Sequence, residues 1–585
     1  MISRISPDHE IREQFHSEQQ HVKIIHVGAG ASGLLTAYKA KKYLRNYELV
    51  CYEKNSTIGG TWLENSQDDL NSQKSTRYPG CACDVPSHSY TFTWEPNSEW
   101  SGFYAFGSEI QTYFQKIYEK YELQPYMKFN TKVLSAVWYE DKGEWKVELE
   151  RGGEKFTDWC NVLINGSGPI NQWKWPAIEG IKTYQGTLVH TANWSPNIDW
   201  KGKRVAVIGS GSSSIQVVPQ LAEGCESLTV FARNSTWIAP QMGSQDVRIL
   251  PPDSEQTSKP AAAGKHQFTE EEKEKMRTDP DAFLKYRKEV DGAMQQRFPV
   301  FLRGSEPNIN AKKRMAEMIR ARIGPGYEDL KEKFIPKWSP GCRRITPGEG
   351  YLEALTKDHV TVISEELVRF TENGLVTADD KDYEFDIIVC ATGFNVAFAP
   401  HFKMTGIDGA VLQEEWAEYP NIYLSVASPK FPNYFTVGGP GGNWGQGCVL
   451  VSHEVQVEYA MQCCLKISSE NLHSLAVRQG PTTQYLAHSR TWHNAKSVWA
   501  EDCRSWYKNN RPDGRVQLWC GSMVHMLKTL RTPRWEDYEI RRRDRNMWSF
   551  WGNGRIEREV LGERGVEVDW APFVRNEDGP WTLDM

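Results

Sequence analysis

Two stretches of the chain share one pattern: an apolar run of strand length, a glycine-rich turn, then apolar positions at helical spacing. The first runs Val22-Lys23-Ile24-Ile25-His26-Val27 into Gly28-Ala29-Gly30-Ala31-Ser32-Gly33, with a helix carried by Leu34, Leu35, Ala37 and Tyr38. The second runs Val205-Ala206-Val207-Ile208 into Gly209-Ser210-Gly211-Ser212-Ser213-Ser214. Strand, tight turn and helix N-terminus form a dinucleotide cradle. Glycines let the backbone approach a pyrophosphate, and the free amides and helix dipole meet its charge. In the second unit Ser214 takes the place of the third glycine, so helix and strand must accommodate a hydroxymethyl group.

The residue ending each following strand separates the two sites. Glu48 to Tyr52 ends at Glu53, where a carboxylate meets a ribose hydroxyl and repels a 2′-phosphate; this suits FAD. Leu228 to Ala232 ends at Arg233, whose guanidinium suits the 2′-phosphate of NADPH. Elsewhere the pattern predicts a hairpin over Phe129–Val137 and Trp145–Leu149, and a strand Val162–Asn165 closing the first unit. Thr269-Glu270-Glu271-Glu272 is a capping box, and Asn310–Ile323 reads as a helix stopped by Gly324-Pro325. A buried strand near Phe385–Cys390 runs into Ala391-Thr392-Gly393, and a helix begins near Val449 after Gly441-Gly442-Asn443-Trp444. The polar, non-periodic stretch Ser66–Thr76 reads as a surface loop.

The fold class is therefore α/β: two Rossmann-like dinucleotide-binding domains, a helical insertion and a C-terminal extension. Residues 22–168 and 386–467 make the FAD domain, 169–234 and 325–385 the NADPH domain, 235–324 the insertion and 468–585 the extension. Net charge −6 gives no electrostatic reason for a nucleic-acid partner, and Arg541-Arg542-Arg543 reads as a solvated, paired patch. No apolar run reaches bilayer length, so a soluble, cytoplasmic protein without a membrane span is expected. Twelve cysteines in 585 residues do not make a disulfide framework, and reduced thiols are expected. Cys81-x-Cys83 lacks a second pair, so no metal is expected.

Tyr184-x-Gly186-x-x-x-His190-x-x-x-Trp194 precedes the second cradle. This spacing resembles the fingerprint of type I Baeyer–Villiger monooxygenases, with Tyr184 for Phe and Ser195 for Pro or Asp. Sister flavin N- and S-oxygenases carry Tyr where Trp194 stands. The segments Gly59-Gly60-Thr61-Trp62, Arg77-Tyr78-Pro79-Gly80 with Asp84, and Arg343-Arg344 also resemble that family's motifs, in family order. PGCACDVPSH and GCRRITPGEGYLEAL resemble fungal members, which act on bulky natural products in secondary metabolism. The resemblance implies an NADPH- and O2-dependent enzyme converting a ketone to an ester or lactone through a C4a-peroxyflavin. It assigns Arg344 and Asp84 to catalysis, Asp84 orienting the arginine. It assigns Gly28, Gly30, Gly33, Glu53, Gly60, Thr61, Trp62, Tyr90, Val133, Gly209, Gly211, Ser213, Ser214, Arg233, Arg343, Asn443 and Trp444 to the cofactors. The alternatives are a flavin N- or S-oxygenase and an inactive dinucleotide-binding scaffold.

Overall fold

The structure is a computed structural model that describes residues 11–64, 78–239, 266–396, 398–579, 581 and 583. The stretch 66–76 and Arg77 lie outside the described residues. Two five-stranded sheets, each wholly parallel, carry the molecule. The first has the order Tyr434–Thr436, Val162–Asn165, Val22–Val27, Tyr47–Tyr52, Met127–Lys128. Its central strand is buried along almost its whole length because both faces are covered, as a parallel sheet requires. Helices Ala31–Tyr43 and Val449–Ser469 pack together on one face. On the other lies the sheet Lys403–Thr405, Thr131–Tyr139, Glu144–Arg151, Glu154–Cys160, which contains the expected hairpin and shares a core with the first sheet's strands.

The second sheet has the order Val360–Ile363, Ser227–Phe231, Arg204–Ile208, Ile387–Cys390, Thr187–His190. One expected boundary changes here. Ile387–Cys390 pairs in parallel with both Arg204–Ile208 and Thr187–His190, so the chain leaves this sheet after residue 390, not at 385. An apolar strand bound for either sheet looks the same in sequence, because both interiors demand it. The insertion carries helices Glu270–Thr278 with the Thr269–Glu272 capping box, Pro280–Gln295, and Glu306–Ile323 capped by Ser305, besides the short strand Ile238–Ala239, which pairs with Thr346–Pro347. In the C-terminal extension Leu472–Val477 pairs antiparallel with Tyr538–Arg542, and Arg541 and Arg542 find Glu140, Glu539 and Glu470. Among the described residues no helix is long and apolar enough to cross a membrane.

Around the first sheet two histidines, His26 and His88, are buried and a third, His453, is half-buried. His26 and His453 are pushed down to about 4 and His88 to about 3, in each case chiefly by burial. His88 sits in a box of Phe268, Phe283 and Tyr286. A folded-state pKa below the unfolded value near 6.5 means the unfolded chain binds more protons between the two. Stability present above about pH 6.5 is therefore lost as pH falls, at about 1.4 kcal/mol per unit per histidine. Thermal melts from pH 7 to 5 should show a falling midpoint, and His88→Phe should flatten that slope; an unchanged slope would mean His88 is not held neutral.

Candidate active site

The C-terminal ends of the second sheet's strands open onto one cavity of about 800 Å³, where ligands bind in open α/β sheets. Gly209 to Ser213, Phe231, Arg233 and Asn234, Glu365 to Leu367, Ala391 to Phe394, and Thr191 with Ala192 supply that side. Thr61, Trp62, Tyr78, Cys81, Ala82 and Asp84 supply the first domain's wall, Arg343 and Arg344 the floor between them, and Arg504, Trp506 and Asn510 a cover.

Arg344 and Asp84, 260 positions apart, meet bidentately: Nε donates to one carboxylate oxygen and Nη2 to the other, each at 2.7 Å. Burial alone would lower the Arg344 pKa; the Asp84 charge overcomes it and holds the guanidinium well above its ordinary value. The buried Tyr507 phenol lies beside the pair and acts in the same direction. Arg343 is different. Its Nη1 donates to the Ser235 carbonyl at 3.1 Å, and burial pushes its pKa down. It forms no ion pair with a carboxylate among the described residues, so it stands in the cavity as a desolvated cation lacking an anion. Arg233 is paired with Glu366 at 3.0 Å.

The residues at both cradles fit dinucleotides. Gly28 lies at φ +102°, and an added Cβ would meet the Gly166 carbonyl oxygen at 2.9 Å. A Cβ on Gly30 would lie 3.3 Å from the Cα of Gly60, so two glycine turns face each other with no side chain between. One on Gly33 would strike the Gly28 oxygen at 2.4 Å, which explains the third glycine. Glu53 is buried and accepts from the amides of Ala29, at 2.7 Å, and Asn55, at 2.8 Å, so it also props the turn. In the second cradle Gly209 has φ +129°, and the helix Ser212–Leu221 starts after Gly211. The Ser214 side chain is accommodated in the core, facing the buried Tyr351 hydroxyl.

The remaining expected residues are spread more widely. Trp62 Nε1 donates to the Tyr90 hydroxyl at 2.8 Å, a link inside the first domain's wall. Val133 is buried in the core beneath the mixed four-stranded sheet and does not line the cavity. Asn443 and Trp444 do not line it either; Trp444 is buried, and the Trp519 amide donates to the Asn443 carbonyl at 2.8 Å. Nor do the fingerprint residues. Tyr184 donates to the Phe385 carbonyl at 2.9 Å, and His190 Nδ1 accepts from the Ala192 amide at 3.0 Å while stacking on Trp173. Trp194 is buried in the core on the other face of the sheet. They fix the strand Thr187–His190 that delivers Thr191 and Ala192 to the site.

Residues 21–247 match the family model for flavin-binding monooxygenase-like proteins. The FAD-binding monooxygenase tazF of Aspergillus terreus is 38% identical over 551 residues, covering 93% of each chain. The chain belongs to the flavin-binding monooxygenases of Baeyer–Villiger type. A Baeyer–Villiger monooxygenase of Pseudomonas aeruginosa is 29% identical, over 86% of this chain and 88% of that one. The fold is that of cyclohexanone monooxygenase in its closed crystal structure, with TM-score 0.74 at 23% identity over 90% of this chain and 100% of that one. Oxidised steroid monooxygenase bound to NADP gives TM-score 0.72 at 24% identity, over 89% and 100%.

One feature of this monooxygenase overturns the expectation of reduced thiols. Cys342, adjoining the arginine pair, is disulfide-bonded to Cys503 of the C-terminal extension, their Cα atoms 6.4 Å apart. No spacing signals a bond across 161 positions; only packing brings the two buried cysteines within disulfide reach. The Ser339 amide also donates to the Glu501 carboxylate at 2.8 Å. Trp506 and Tyr507 are thereby held against the cavity and Arg344.

Non-reducing peptide mapping should recover the Cys342–Cys503 cross-link. Cys503→Ser should destabilise the protein by about 2–4 kcal/mol in reversible unfolding, the usual worth of a native disulfide; free thiols at both positions would refute this. For the fingerprint, an added Cβ on Gly186 would lie 2.2 Å from the Tyr184 hydroxyl and 3.0 Å from the Asp386 oxygen. Gly186→Ala should cost about 1–3 kcal/mol from overpacking, and adding Tyr184→Phe should recover part of it.

Proposed function

We propose that the protein uses NADPH and O2 to insert one oxygen atom beside the carbonyl of a small-molecule ketone, giving an ester or lactone. The observation carrying this reading is Arg344, a charged guanidinium fastened by Asp84 within a cavity lined by both domains. Bound FAD, reduced by NADPH, supplies the activated oxygen; the chain must bind, orient and shield.

Arg344 has five N–H donors, and Asp84 engages Nε and Nη2. The remaining N–H groups of the guanidinium, which lies beside the Tyr507 phenol, serve an oxygen anion in the cavity. Because its pKa is held well above the ordinary value, Arg344 cannot quench that anion by giving up a proton. Asp84 has a second effect: two bonds fix the guanidinium plane, so the donor is oriented before charge develops. Gly28, Gly30 and Gly60 admit the flavin nucleotide, and Gly209, Gly211, Ser213 and the following helix N-terminus admit the nicotinamide nucleotide. Arg343 supplies a desolvated positive charge lacking a carboxylate partner among the described residues, suited to a phosphate, and Arg233 lies where a 2′-phosphate would be read. Trp506 and Tyr507 cover the arginines and keep bulk water from the reacting anion.

Arg344→Ala should retain FAD and still oxidise NADPH, because hydride transfer needs no anion holder. Its oxygen consumption should yield hydrogen peroxide, with ester formation falling by about 10²-fold or more, the usual loss when one anion donor is removed. Asp84→Ala should show a milder form of the same uncoupling. Flavin content, stopped-flow reduction and product analysis measure the three quantities. Normal ester formation by well-folded Arg344→Ala would refute the assignment, and loss of FAD would mark the pair as a structural ion pair.

A further inference from the structure

The reading of Arg233 as the 2′-phosphate contact, on which this inference rests, meets a carboxylate already in place. Strands Ser227–Phe231 and Val360–Ile363 run parallel with Phe231 opposite Ile363, and the pairing continues as the Ala232 amide donates to the Ile363 carbonyl at 2.8 Å. Beyond the strand ends this register sets Arg233 beside Glu366. Arg233 Nη1 lies 3.0 Å from Glu366 Oε1, and both side chains are exposed, at 59% and 64%. The Glu366 backbone is fixed where the Ala378 amide donates to its carbonyl at 2.8 Å. Glu365, its neighbour, accepts from the Ser364 amide at 3.1 Å. All three charged groups line the cavity.

We propose that Glu366 sets coenzyme selectivity by competing with the 2′-phosphate for Arg233. A phosphomonoester entering this corner must displace the carboxylate from the guanidinium and then sit beside a negative charge it repels. A 2′-hydroxyl faces no such opposition and finds in Glu366 an acceptor. The carboxylate therefore lowers the preference for the phosphorylated coenzyme below what Arg233 alone would give. The pair is solvent-exposed, so its grip is weak and salt-sensitive, and the effect is a bias that Arg233 can still overcome. Arg343 takes no part in the competition, since it forms no carboxylate ion pair among the described residues.

Calorimetric titration of the FAD-loaded protein with 2′,5′-ADP and with 5′-ADP, at low and high salt, tests this without turnover. Glu366→Gln should bind 2′,5′-ADP about two- to five-fold more tightly at low salt, as expected for freeing an exposed ion-pair partner. The gain should shrink in added salt and largely vanish in an Arg233→Ala background. Affinity for 5′-ADP should not rise. If Arg233→Ala weakens 2′,5′-ADP binding while Glu366→Gln leaves it unchanged or weaker, the competition is refuted and the phosphate reading stands. If Arg233→Ala binds 2′,5′-ADP as well as the unaltered protein, the phosphate reading fails and takes this inference with it.

Discussion

Burying a guanidinium is costly unless an anion goes with it, and the centre of this molecule is built on that constraint. Arg344 enters the cavity only because Asp84 accompanies it, with two bonds of 2.7 Å. Asp84 belongs to the first domain's wall and Arg344 to the floor between the two sides of the cavity. The pair therefore fixes how the glycine turn of the first domain stands to the second sheet's strand ends. The cavity between them is a consequence of that docking.

Around this pair the charges are graded by their partners. Arg344 is fully answered, Arg233 is answered by an exposed and exchangeable carboxylate, and Arg343 is desolvated with no ion pair among the described residues. That gradation gives each arginine a different readiness for a phosphate or an oxygen anion. The C-terminal extension completes the arrangement. Its disulfide to Cys342 ties the cover to the same loop that carries both interior arginines, so cover and charge are fixed as one piece.

The parts of this architecture legible in sequence are those whose cause is local. A strand, a glycine turn and a helix are specified within about 30 residues, because φ, backbone approach and apolar spacing are local properties. Both cradles, the capping box at Thr269 and the helix from Val449 stand where the pattern put them. Even the replacement of a third glycine by Ser214 was visible, although the Tyr351 hydroxyl it faces was not. The fingerprint shows the limit of such reading. Its spacing pointed to a family, but only the fold shows that Tyr184, His190 and Trp194 shape the site from outside the cavity.

The sequence by itself determined two dinucleotide cradles and the acidic and basic residues ending their following strands; the arginine and aspartate that meet at the centre were named only through a family resemblance. Tertiary structure alone decided which sheet Ile387–Cys390 joins, that Cys342 bonds Cys503, and that Glu366 stands against Arg233. An apolar strand satisfies either sheet, and a cysteine or glutamate has no spacing that names a partner far away along the chain. Those choices depend on the register of docked strands and loops, which the whole chain must fold to set.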